Sequence, residues 1–175
     1  MDKLKPIESK LSEMFKNTPP LPTSAKKMLV QWWPIATLLA GVFQLMSAWW
    51  LYDWGQSVNK LADSLNKFTS PFGVAPAVDK LNIFYWISLL LLVVNGVIFL
   101  MAYPGLKDKK IAGWNLMFLG ALINAVYGVF SVLNDKGGMS TFIGSIIGTL
   151  VGLYFLYQVK DQFSGTDKVS AAHKS

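Results

Sequence analysis

The chain of 175 residues has no cysteine, no arginine and a single histidine, His173, near its C-terminus. Without cysteine there are no disulfides, no thiol redox chemistry and no thiolate metal ligands. Without arginine there is no planar fork to grip phosphate or carboxylate through paired hydrogen bonds. One histidine in a polar tail excludes a haem held between paired histidines inside a membrane. The most informative scarcity is of charge. Met28–Tyr52, Leu81–Leu106, Ile111–Asn134 and Gly137–Val159 each run for more than twenty residues without a charged side chain. Roughly 20 apolar residues of helix cross a bilayer core, so each stretch is long enough to span one. Four such stretches cannot all be central helices of one small soluble domain.

The expected fold is therefore all-α, a four-helix transmembrane bundle with short amphipathic interfacial helices. The spans fall at about 29–51, 81–103, 111–133 and 139–159 within a bundle of residues 28–160. Residues 1–27 read as an amphipathic helix and a proline-rich linker, 53–80 as a long loop, and 161–175 as a polar tail.

All sixteen basic residues are lysine. Twelve of them lie in the two termini and the 107–110 turn, which four spans place on one side, and four lie on the other. The positive-inside rule then puts the termini in the cytoplasm and the 53–80 loop outside, in a bacterial-type cytoplasmic membrane. This sorting accounts for the net charge of +6 without nucleic acid. Span one is too long for a signal peptide, and Trp49-Trp50-Leu51-Tyr52 follow where small cleavage-site residues would stand.

Trp32-Trp33 and Trp49-Trp50 are 17 residues apart, about 25 Å along a helix. Tryptophan favours both membrane interfaces, because its ring is apolar and its N–H seeks a polar partner. The two pairs read as interface anchors. Tyr85, Trp86, Tyr103, Trp114, Tyr154 and Tyr157 also lie towards span ends. An aromatic ligand box is the alternative reading.

In residues 1–16, Leu4, Ile7, Leu11, Met14 and Phe15 share one helix face. That helix is expected to lie on the inner leaflet or to dock on a partner. Pro19, Pro20 and Pro22 end it, and Thr23 or Ser24 is expected to cap span one. Pro34 marks either the start of the regular helix or a mild kink. In the long loop, Val58, Leu61, Leu65 and Phe68 repeat in steps of three and four, which predicts a short helix at the outer interface, ended by Pro71, Gly73 and Pro76. Tyr103-Pro104-Gly105 is expected to stop span two. The short connectors 107–110 and 134–138 make spans two, three and four sequential antiparallel neighbours.

Within the spans, Gly144, Gly148 and Gly152 form a small-residue ridge suited to close helix packing, expected against a neighbour in the same chain, with self-association the alternative. Gly120, Asn124 and Gly128 form a second ridge, and Ala36, Ala40, Gln44 and Ala48 a third. Counted at 1.5 Å per residue, Gln44, Asn124 and Ser145 fall near 20 Å depth, and Thr37, Asn95 and Thr149 nearer 12–15 Å. These uncharged polar groups fit register-setting hydrogen bonds worth about 1 kcal/mol each. The alternative is a polar path or small-ligand pocket.

No span contains Asp, Glu, Lys or His. Proton relays and ion coupling use such intramembrane groups. Gly144-Ser145 looks like a nucleophile fragment, but no histidine or lysine within the membrane could serve as its base. No acidic cluster suggests metal-dependent phosphotransfer, and Asp108 among lysines reads as a solvated turn residue. No catalytic residue, metal or cofactor is expected.

The turn Gly105-Leu106-Lys107-Asp108-Lys109-Lys110-Ile111-Ala112-Gly113-Trp114 and the span-four end Tyr154-Phe155-Leu156-Tyr157-Gln158-Val159-Lys160 resemble segments of small bacterial four-span proteins of unknown function. The likeness covers the C-terminal half and implies no activity. Topology explains the basic turn and the interface aromatic, but not the glycine before the tryptophan. The expected role is an accessory or scaffold subunit acting through helix contacts with the lipid bilayer, a protein partner or a second copy. The alternative is a small transporter or channel component for a neutral or apolar solute.

Overall fold

The computed structural model describes residues 4–73, 79–132 and 139–163. They form α1 (Lys5–Phe15), α2 (Thr23–Thr69), a 3-10 turn (Ser70–Phe72), α3 (Ile83–Lys107), α4 (Ile111–Val132) and α5 (Met139–Val159). The described residues contain no strand. The 134–138 connector, Pro76, His173, Lys3, Lys136, Lys168 and Lys174 lie outside them.

Helices α2 to α5 are each long and apolar enough to cross a membrane. Their outer faces carry Leu39, Phe43, Met46, Leu90, Ile143 and Ile147, all exposed. An aqueous protein would bury such side chains against a second layer. Here the surface and the helix lengths are those of an integral membrane protein. The helices pack in sequence, α2 on α3, α3 on α4 and α4 on α5, while α2 touches α5 only sparsely.

The main core sits at the end of the bundle that carries α1. Trp114, Phe118, Leu106, Leu153, Leu156 and Val159 are buried there together. Leu4, Leu11 and Phe15 of α1 pack against this core. Helix α1 thus packs on its own chain, with Ile7 and Met14 left exposed. The Tyr157 hydroxyl donates to the Glu8 carbonyl at 2.9 Å, the Phe15 and Tyr157 rings stack at 5.5 Å, and Lys160 pairs with Glu8. The proline linker is strapped to the same end of α5. Tyr154 donates to the Pro19 carbonyl at 2.8 Å, and the Leu21 N–H donates to Gln158 Oε1 at 3.1 Å.

Four local expectations need correction. The stretch expected as a separate interfacial helix is the continuation of α2, a single helix of 47 residues. No proline falls between Pro34 and Pro71, so nothing breaks the helix where it leaves the apolar stretch. Thr23 does not cap α2 but is its first residue, after Pro22 at φ −53° and ψ 145°; proline holds the extended geometry an N-cap requires. Pro34 lies buried inside α2 and does not start it. Pro104 does not stop α3, which runs on to Lys107. The stop is Lys109, in the left-handed region at φ 54°, with the Lys110 N–H closing back on the Gly105 carbonyl at 2.8 Å. Glycine adopts that geometry without the Cβ clash. Lys109→Gly is therefore expected to stabilise the bundle by about 1 kcal/mol, read as a higher unfolding midpoint in detergent titration. An unchanged or lower midpoint would contradict it.

Candidate functional site

Two glycines bring the first polar pair together. A Cβ on Gly41 would sit 3.0 Å from the Gly96 carbonyl oxygen, and one on Gly96 would sit 3.0 Å from Leu45 Cδ2 and 3.3 Å from Gln44 Cβ. The α2–α3 crossing is therefore close, with Gln44 Cβ beside Gly96, the residue after Asn95. Gly120 does the same for α3 and α4. Its Cβ would meet Phe99 Cε1 at 2.6 Å and Asn95 Oδ1 at 3.0 Å. Gly128 seats Ser145 of α5, whose Oγ occupies the place of a Cβ.

The glycines of α5 behave differently. A Cβ on Gly144, Gly148 or Gly152 would meet no described atom within 4 Å outside its own helix. The neighbour expected within the chain is not there among the described residues. Sequence spacing shows that a face is small, but not that anything fills it.

Instead, Gly148 and Gly152 border a cleft of about 250 Å³ between α2 and α5, floored by α3 and α4. That is room for about eight waters at about 30 Å³ each, or one small organic molecule. Gln44, Asn95, Asn124 and Thr149 supply its polar lining, and Trp33, Phe99, Met117 and Leu156 its apolar lining. No lining side chain carries a charge. Asn124 Nδ2 donates to Thr149 Oγ1 at 3.1 Å. Asn95 is only 4% exposed, and neither its Oδ1 nor Gln44 Oε1 has a hydrogen-bond partner. A buried polar group without a partner costs about 1–3 kcal/mol. The two oxygens lie beneath the cleft wall, within residues that line it. No titratable side chain lines the cleft.

The two polar layers expected from depth counting merge. Gln44, Asn95, Asn124 and Thr149 gather at one cleft. Thr37 does not line the cleft but donates to Met117 Sδ, which does, at 3.6 Å, and Ser145 sits in the α4–α5 contact. The count assumed that every helix starts in one plane, whereas α2 begins well before its apolar stretch. Ser88 is a buried hydroxyl that sequence reading passed over, and its Oγ also lacks a partner. Gly41 and Gly96 went unnoticed because neither belongs to a repeated ridge.

Of the interface anchors, Trp32, Trp49 and Trp50 are exposed, whereas Trp33 lines the cleft. Trp114 is not at the lipid interface. It is fully buried, stacks on Phe118 at 5.5 Å and donates from Nε1 to the Leu156 carbonyl at 2.8 Å. Lys160 Nζ lies 4.8 Å over its ring. Gly113 makes this possible. A Cβ there would overlap Leu106 N and Gly105 C, so α3 and α4 meet backbone to backbone just before Trp114. The glycine that topology left unexplained thus has a packing reason.

A second opening of about 340 Å³ lies at the α1 end, lined by Phe15, Lys16, Lys26, Tyr157 and Lys160 among others. It is the seam where α1 meets α5, and its main cation, Lys160, already pairs with Glu8. Asp108 is an exposed turn residue paired with Lys110 at 2.9 Å. The hydrogen bond from Lys110 and its positive charge hold the Asp108 carboxyl below its usual pKa. Compared with known proteins, the chain matches no family model, no curated protein and no solved structure.

Proposed function

We propose that this chain is a non-enzymatic integral membrane protein that binds a small neutral solute in the α2–α5 cleft, as a component of a small transporter or channel. The observation that carries the reading is an uncharged cleft lined by Gln44, Asn95 and the Asn124–Thr149 pair; the unpartnered oxygens Gln44 Oε1 and Asn95 Oδ1 lie beneath its wall and meet a solute when their side chains turn into it. Amide oxygens with apolar neighbours select uncharged molecules that carry N–H or O–H groups, since a charge brought there would lose its hydration without a counter-charge. In this reading both termini are cytoplasmic in a bacterial-type membrane, which the lysine distribution supports.

The test is flux of a panel of neutral solutes in proteoliposomes. Asn124→Leu removes the donor to Thr149 and fills the cleft with an apolar branch, and is expected to reduce flux of the active solute at least tenfold, a change of about 1.4 kcal/mol. Flux equal to that of empty liposomes for every solute would refute the proposal.

A second reading is an accessory or scaffold subunit. It is favoured by the open glycine face of α5, which would accept a partner's transmembrane helix. It predicts that Gly144→Leu and Gly148→Leu abolish co-purification of a partner in mild detergent. Unaltered recovery of a solitary chain would set it aside.

A further inference from the structure

Helix α2 does not end with its span. The aromatic cluster that closes this end of the bundle joins Trp49, Tyr52, Trp54, Tyr85 and Trp86 through ring contacts of 5.3–6.5 Å. Beyond it, α2 continues from Gly55 to Thr69, about 21 Å further. One flank of this extension is covered by its own chain. Gly55 and Ala62 are buried, the Leu81 N–H donates to Asn59 Oδ1 at 2.9 Å, and Lys80 pairs with Asp63 at 2.7 Å.

The adjacent face is only partly covered: Trp54 packs on Tyr85 and Val58 and Leu65 are half-buried, while Leu61 and Phe68 stand exposed. Along α2, Trp54, Val58, Leu61, Leu65 and Phe68 follow one another in alternating steps of four and three, and Phe72 follows in the 3-10 turn. Leu61 is 55% exposed, and Phe68 and Phe72 are each 72% exposed. This is the spacing of a coiled-coil seam. Scattered exposed apolar residues need no explanation, but an apolar stripe at coiled-coil spacing that runs on past the aromatic cluster does.

We propose that the seam binds the same seam on a second copy of this chain, forming a parallel two-stranded contact outside the membrane. Three observations select a second copy. Each copy's extension is an unbroken continuation of a membrane helix, so two copies in one bilayer present identical residues at the same height. A parallel coiled coil needs that register. The open flank of the seam is Ser57 and Ser64, with no charge to repel its counterpart or to recruit an oppositely charged partner. The charges Asp53, Lys60 and Lys67 project from the far side of the helix, by their position at 100° per residue. The inference requires that α2 crosses the membrane, but is independent of what occupies the cleft.

The chain has no cysteine, so single-cysteine variants give a clean readout. Leu61→Cys, Phe68→Cys, Lys60→Cys and Lys67→Cys are made in the full-length protein, reconstituted at low density in liposomes and oxidised. Leu61→Cys and Phe68→Cys are expected to trap a dimer, and Lys60→Cys and Lys67→Cys to remain monomeric. Adding Leu65→Asp to Leu61→Cys is expected to abolish the trapped dimer while the helical spectrum is retained. Cross-linking without this face pattern, its absence at all four positions, or quenching of Trp54 and an 68-position probe by brominated lipid would overturn the proposal. The last result would mean that the seam rests on the membrane surface.

Discussion

Gly113→Val is expected to prevent stable assembly of the bundle. The added Cβ would overlap Leu106 N and Gly105 C. Both are backbone atoms inside or next to helices, so no side-chain rotation relieves the clash. Overpacking against side chains costs about 1–3 kcal/mol. Here α3 and α4 must part at their closest approach, so the cost is expected to exceed about 3 kcal/mol, a large share of a typical domain's about 5–15 kcal/mol. Gly144→Ala provides the contrast, since a Cβ there meets no described atom within 4 Å. It is expected to melt with the unchanged chain or slightly above it, because alanine favours helix over glycine by about 1 kcal/mol. Recovery of folded protein after detergent extraction and its thermal midpoint measure both variants. A Gly113→Val protein with an unchanged midpoint would show that the α3–α4 contact is looser than described.

Trp114→Ala has the second largest expected effect, about 3–5 kcal/mol of destabilisation. The loss combines the stack on Phe118, the edge contact with Tyr157 and the hydrogen bond to the Leu156 carbonyl. It also removes the ring beneath Lys160, the residue that pairs with Glu8 of α1. Helix α1 is therefore expected to loosen before the bundle unfolds, exposing the linker at Pro19–Pro22 to protease. Trp114→Phe keeps a ring but not the donor, and should fall between the two. A Trp114→Ala protein within about 1 kcal/mol of the unchanged chain, with its linker still protected, would contradict this placement.

The uncharged stretches made the architecture legible because exclusion of charge from lipid is a property of composition alone. Helix ends were less legible. Asp53 marks the end of an apolar stretch, but a helix ends at a breaker or a cap, and α2 meets neither until after Phe68. Likewise Pro104 reads as a stop, yet the turn is set by Lys109 and Gly105. The polar residues of the cleft were visible as Gln44, Asn95 and Asn124. Their convergence was not, because it depends on how Gly41, Gly96 and Gly120 set the approach of three helices. Trp114 was misplaced for a related reason: its position near a span end is a sequence fact, whereas its burial depends on rotation of α4 about its own axis. The ridge of α5 shows the same limit from the other side, since Gly148 and Gly152 border a cleft and a Cβ on Gly144 would meet no described atom outside its own helix, so none of the three faces a described helix of this chain.

Under the proposed function, the cleft recognises uncharged hydrogen-bond donors. The most direct measurement is the thermal stability of the purified protein in detergent with a graded panel of neutral solutes, primary amides and alcohols against hydrocarbons of equal size. A ligand present at 100 times its Kd stabilises by about 2.7 kcal/mol. Donor-bearing solutes are expected to raise the midpoint, their hydrocarbon counterparts are not, and Gln44→Met, which keeps the chain length but removes the amide, is expected to lose the shift. Equal shifts from hydrocarbons, or a Gln44→Met protein that responds like the unchanged chain, would contradict it.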